Sequence, residues 1–154
     1  MLPLPMLAFK LEGNDCYIEL TIEEVWGYPN ETSYGGGYGA KGQLTIKAGE
    51  YSVDNATHYF TTGELYRFMQ ELQQCYNKLE GEIYLDNTEH ELDLKCTFNR
   101  KGHVVINGRF QSRPDIQTFL IFELRTDQTQ IPAAIFALKR VAEIFGDDKG
   151  IKGK

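Results

Sequence analysis

Residues 117–125 constrain this chain most: they are apolar on both faces and run through Thr126-Asp127-Gln128-Thr129 into one amphipathic helix. Alternate side chains of an extended segment point to opposite faces. Phe119 and Ile121 therefore share one face, and Leu120, Phe122 and Leu124 the other. A strand apolar on both sides reads as a central strand covered by a helix. Pro132 has no N–H and belongs in the first turn of that helix. With Thr129 as N-cap, Pro132 takes the third helical position and no backbone hydrogen bond is lost. Ile131, Ile135, Leu138, Ala142 and Phe145 make the apolar stripe, Ala134 and Ala137 permit close approach to a sheet, and Gly146 ends the helix.

Antiparallel alternation recurs upstream. Residues 7–11 and 16–25 predict a hairpin about Gly13-Asn14-Asp15, with Cys16, Ile18, Leu20 and Ile22 on one face. Residues 43–48 and 51–60 are further extended candidates, the latter with Ala56, His58 and Phe60 on one parity. The spacing of Leu65, Phe68, Met69, Leu72, Tyr76 and Leu79 predicts a helix, opened by a capping box from Thr61 to Glu64 and stopped at Gly81. Strands follow at 82–86, 91–98 and 103–111; Leu92, Leu94, Cys96 and Phe98 point inward, and Glu91, Asp93, Lys95 and Thr97 outward. Short links between successive strands imply antiparallel pairing. The fold class is α+β: a twisted or curved antiparallel sheet of about seven to eight strands with two helices packed on it.

The 154 residues read as one domain, with an ordered core at about 7–146 and a frayed polar tail at 147–154. No apolar run reaches the ~20 residues of a spanning helix. The start has no basic segment and carries two prolines, so no signal peptide is read, and Met6 is a start codon candidate beside Met1. Three widely spaced cysteines, Cys16, Cys75 and Cys96, argue for reduced thiols and a cytoplasmic setting. The net charge of −6 opposes non-specific binding to nucleic acid and suits a basic protein partner.

Catalytic signatures are missing from the pattern. Gly37-Tyr38-Gly39-Ala40-Lys41-Gly42 spells the dinucleotide-binding fingerprint, but a strand rather than a helix follows it, so no cofactor is expected. His58, His90 and His103 stand at no metal-ligand spacing, so no metal is expected. Cys75 and Cys96 read as core thiols. Residues 28–42 read as a flexible glycine-tyrosine loop whose exposed Tyr34 and Tyr38 suit protein contacts. The outward carboxylates of residues 82–93 read as a solvated acidic face that could dock a basic protein: Glu82, Asp86, Glu91 and Asp93, with Tyr84 as an aromatic anchor.

Four stretches resemble the WapI-type immunity protein family of contact-dependent toxin systems. They are Thr62-Gly63-Glu64-Leu65-Tyr66-Arg67-Phe68, Cys75-Tyr76-Asn77-Lys78-Leu79-Glu80-Gly81, Gly102-His103-Val104, and Phe122-Glu123-Leu124-Arg125-Thr126-Asp127-Gln128-Thr129. Gly27-Tyr28-Pro29, Gly37-Tyr38 and Gly49-Glu50-Tyr51 are similar to it more loosely. The resemblance implies a small non-enzymatic cytoplasmic protein that binds and neutralises one cognate toxin domain, often a nuclease, and it carries over no catalytic residue, nucleic-acid partner or membrane. The alternative is a small-molecule binding or other interaction domain that uses the loop at 28–42 as a lid.

Overall fold

Two antiparallel four-stranded meanders divide the strands between them in the computed structural model, which describes residues 2–85, 87 and 89–151. The first holds β1 (Met6–Gly13), β2 (Cys16–Trp26), β3 (Gly39–Ala48) and β4 (Tyr51–Thr61), each paired with its sequence neighbour. Helix α1 (Thr62–Lys78) leads to the second, β5 (Gly81–Leu85), β6 (Leu92–Phe98), β7 (His103–Phe110) and β8 (Leu120–Asp127). A short 3-10 turn (Gln128–Gln130) then opens α2 (Ile131–Phe145). The α+β class, the eight antiparallel strands and the two helices are thus as the alternation implies, but the strands form two sheets rather than one.

Burial follows the period-two and helical patterns closely. Ile18, Leu20 and Ile22 of β2, Leu44 and Ile46 of β3, Leu94 and Cys96 of β6 and Ile106 of β7 join one core with Leu65, Phe68 and Leu72 of α1 and Ile131, Leu138 and Phe145 of α2. Helix α2 lies against β1 and α1, and α1 lies against β5. The Phe9 and Phe68 rings, 5.5 Å apart, join β1 to α1. The capping box holds as expected: Thr61 Oγ1 accepts from the Glu64 amide at 3.0 Å, and Glu64 Oε1 accepts from the Thr61 amide at 3.1 Å.

Three expectations are corrected. β8 is an edge strand, not a central one: Phe122 and Leu124 are buried but Ile121 is 69% exposed. Its second apolar face is used locally, where the Phe119 ring just before the strand receives the Arg109 guanidinium at 4.5 Å. Thr129 is not the N-cap of α2: that place falls to Gln130, which makes no side-chain cap bond, while Asp127 caps the 3-10 turn before it, its carboxylate accepting from the Thr129 amide at 2.9 Å and from the Thr129 hydroxyl. Pro132 then sits at the start of α2, where its missing N–H costs nothing. Finally, β3 begins at Gly39, so the glycine loop is shorter than its composition suggests.

The loop at 27–38 is fastened at its end beside α1. Gly63 N donates to Gly36 O at 3.2 Å, Tyr38 N to Thr62 Oγ1 at 2.8 Å and Thr62 N to Tyr38 O at 2.9 Å. These bonds give the first amides of α1 protein acceptors. Residues 147–151 reach back as well: Gly37 N donates to Asp148 O at 2.7 Å and Ile151 N to Tyr38 Oη at 2.9 Å. The tail expected to fray is turned onto the loop over these residues.

Gly63 shows how tightly the loop packs. A Cβ there would stand 2.4 Å from the Gly36 carbonyl carbon. Alanine should gain about 1 kcal/mol of helix propensity, but backbone must move to admit it, at about 1–3 kcal/mol. Gly63→Ala is therefore expected to lower the urea unfolding midpoint; an increase would refute this packing.

Candidate functional site

An exposed aromatic platform stands on the outer face of the first sheet, and a break in register creates it. In β2 the inward residues have even numbers up to Ile22, which would turn Trp26 inward as well. A bulge between Ile22 and Glu24 shifts the pairing, so that Val25 faces Ala40 and Trp26 faces Gly39. An extra residue in one strand reverses the side-chain parity beyond it. Val25 thus packs against the core, and Trp26 emerges 47% exposed. On the other side of β3, Lys41 pairs with Tyr59, which faces outward between inward His58 and Phe60 and is 42% exposed.

The two rings stack across β3 with centroids 6.3 Å apart and planes 18° from parallel. Gly39 lies beneath: a Cβ there would sit 3.3 Å from the indole, close enough that the ring would have to give by a few tenths of an ångström. A cleft of about 500 Å³ opens beside the stack. Its other walls are the loop at 33–35, where Tyr34 is fully exposed, the Thr61 and Glu64 end of α1, and Glu89. Glu64 and Glu89 put two carboxylates in this lining, which among the described residues contains no lysine, arginine or histidine.

A buried polar staple holds Tyr59 in place. β4 is the edge of its sheet, so its outer backbone groups need partners. Glu91 Oε1 accepts from the Tyr59 amide at 2.9 Å and from His58 Nδ1 at 2.8 Å. Asn87 Nδ2 donates to Tyr59 O at 3.1 Å and to Glu64 Oε1 at 3.1 Å. Asn87 Oδ1 accepts from the Glu91 and Leu92 amides at 3.0 and 3.4 Å. Asn87 therefore ties β4, the α1 cap and the start of β6 together, and His58 is satisfied inside the core rather than free to ligate.

The expected partner-binding residues fall in different settings. Tyr34 reaches the cleft. Tyr38 does not: it is fully buried, its hydroxyl donates to Pro29 O at 2.9 Å, and its ring meets Tyr28 and Phe145 edge-on at 5.3 and 6.4 Å. That corrects its expected exposure, because the loop packs on the end of α2 instead of waving above it. Glu91 is likewise not on a wet face; its side chain is 14% exposed and serves the staple. Glu82, Tyr84 and Asp93 do face outward, but Glu82 pairs with Lys95 at 3.0 Å and Asp93 stands opposite Arg109. The Glu82 carboxylate also holds the Lys95 ammonium above its ordinary pKa. Asp86 lies outside the described residues. Trp26 and Tyr59 were missed; the legible signal was Glu23-Glu24, where the alternation of β2 breaks.

Two of the three thiols are set by burial. Burial pushes the Cys96 thiol up to about 12 and raises Cys75 as well, which suppresses their thiolates. Among the described residues no group of three or more histidines, cysteines and carboxylates is placed to hold a metal, and no helix is long and apolar enough to cross a membrane.

What remains is a two-sheet α+β scaffold presenting an aromatic, acid-lined cleft. The profile of the immunity protein WapI-like family matches residues 8–146, and the chain belongs to that family. No curated protein matches the sequence. Among solved structures, MRP1/MRP2 of Trypanosoma brucei is similar with a TM-score of 0.52 and 11% identity, over 92% of this chain and 86% of that one. At that identity the likeness is one of fold.

Removing the staple tests its weight. Asn87→Ala leaves the Tyr59 carbonyl and two loop amides without their partner, and is expected to cost about 2–4 kcal/mol in urea unfolding. Asn87→Asp should cost at least as much, since it sets a third carboxylate against Glu64 and Glu91. A loss below about 0.5 kcal/mol for Asn87→Ala, the level of an ordinary surface change, would show that the staple is dispensable.

Proposed function

We propose that this chain is an immunity protein that binds one cognate toxin domain and neutralises it by occlusion, without catalysis of its own, inside the cell that makes the toxin. Family membership across residues 8–146 is the observation that carries this reading. The exposed Trp26–Tyr59 stack adds a place for the partner: large aromatics half in solvent are what interface anchors look like before their partner arrives. A toxin that acts on nucleic acid would present a basic site, and a protein of net charge −6 suits such a surface.

Two outer surfaces compete for the partner. The face of Glu82, Tyr84 and Asp93 carries its own cations, Lys95 and Arg109, so it offers little net sign. The cleft beside Trp26, Tyr59 and Tyr34 offers aromatic area together with the exposed carboxylate of Glu89 at its mouth. We place the toxin contact there. A small ligand is the second reading, favoured by a cleft volume of about 500 Å³, which lies within the range of ligand pockets.

Co-expression tests the inhibitor role. This chain is produced together with the C-terminal domain of the nearest large secreted-protein gene, and host growth and co-purification are scored. Restored growth with a one-to-one complex is the expected result. Continued toxicity without a complex would remove the inhibitor role.

A further inference from the structure

We propose that the cleft receives a basic side chain, an arginine or a lysine, from the protein it binds, with the cation seated against the Trp26–Tyr59 aromatic faces and facing Glu89. This deepens the reading of the chain as a protein inhibitor and rests on it for the partner's nature, though not for the chemistry of the cleft.

Three independent observations converge. The first is geometric. Trp26 and Tyr59 present stacked rings, 47% and 42% exposed, over a floor that Gly39 keeps free of a side chain. Ring faces carry negative potential, and tryptophan is the best aromatic acceptor of a cation. The second is electrostatic. Among the described residues the lining carries Glu64 and Glu89 and no cationic residue, and Lys41, which stands opposite Tyr59, is paired with Glu24 at 3.4 Å. Glu64 is buried at the α1 cap and hydrogen-bonded there, so its charge is fixed beneath the cleft; Glu89 is exposed at the mouth. The third is rigidity. The staple fixes Tyr59 through its own amide and carbonyl, and Gly35 O, on the loop bearing Tyr34, accepts from Arg67 at 2.9 Å. A preformed aromatic wall loses little entropy on binding.

The same geometry discriminates between partners. A nucleobase could stack on Trp26, but its phosphates would meet carboxylates and, among the described lining residues, no lysine or arginine. An aliphatic side chain would fill the volume but leave Glu89 unanswered. A cation on a long apolar stem answers both the rings and Glu89. Arginine suits the site better than lysine, because its planar guanidinium stacks on a ring and still reaches a carboxylate.

Trp26 is the sole tryptophan, so its fluorescence reads this cleft directly. The full chain is titrated with N-acetyl-Gly-Arg-Gly-amide and, separately, with the citrulline peptide of the same shape. The expected result is a saturable change in Trp26 emission with the arginine peptide, at an affinity at least about fivefold tighter than for citrulline. Tyr59→Leu should abolish that preference, Tyr59→Phe should keep it, and Glu89→Gln should reduce it about threefold and flatten its salt dependence. Melting curves of each variant show whether it is folded.

An equal response to both peptides, or none up to roughly 20 mM, would overturn the proposal, since one clamped side chain should bind within that range. Tighter binding of a short oligothymidine would overturn it in favour of base stacking. The toxin domain separates this idea from the broader one. If folded Tyr59→Leu still binds the toxin with unchanged affinity, the cationic contact is wrong while inhibition stands. If the unaltered chain gives no rescue, the inhibitor role fails and the peptide titration alone judges the cleft.

Discussion

The contact on which most else depends is Asn87 spanning the Tyr59 carbonyl and the Glu64 carboxylate. Two separate sheets need something other than apolar packing to set their relative register, because hydrophobic contact has no direction. Asn87 and Glu91 supply it. They leave the second meander, pair with the open edge of β4, and turn a row of unpaired backbone groups into an internal joint. The capping box of α1 lies in the same network, so the helix start, the edge strand and the loop before β6 are fixed together. No buried side-chain nitrogen or oxygen among the described residues is left without a partner. A network satisfied to that degree favours one arrangement, while a half-satisfied one would be costly.

Function follows from what this joint leaves outside. A strand residue whose amide and carbonyl are both held has its side chain aimed, and Tyr59 is aimed into solvent. The β2 bulge brings Trp26 to the same place from the other side, and Gly39 keeps the space between them open. Such an arrangement holds exposed aromatic area without burying it, which a monomer has no folding reason to do. The loop at 27–38 completes the wall, and it is no loose lid: the Tyr28, Tyr38 and Phe145 rings and the first turn of α1 clamp it. The proposed inhibitor role is served by that stiffness, because little ordering remains for the moment of binding.

Much of the scaffold was legible because its signals are local. The Thr61 and Glu64 cap lies within four residues, the α1 stripe within five turns, and β6 alternates without interruption. Most of the misreadings have a different cause: they turn on partners distant in sequence. Whether β8 is central or at an edge depends on topology, which an apolar strand does not encode. Tyr38 sits in a glycine-rich segment and looks exposed until Phe145 and Ile151 arrive from the far end of the chain. Glu91 has the outward parity of β6, yet the edge of β4 claims it. Thr129 loses the α2 cap to Gln130 because a short 3-10 turn, capped by Asp127, precedes the helix, a shift of one residue that composition does not resolve. Of the cleft, only Tyr34 was read in advance; Trp26 and Tyr59 are placed there by one bulge, and its trace is the doubled glutamate at Glu23-Glu24.

Hydrogen exchange on the complex with the cognate toxin domain tests most directly the claim that the aromatic cleft is the binding face. Slowed exchange confined to residues 24–39 and 57–61, with β6 and β7 unchanged, is the result this account requires. Protection centred on 82–85 and 92–98 instead, over Glu82, Tyr84 and Asp93, would contradict it and put the partner on the opposite sheet.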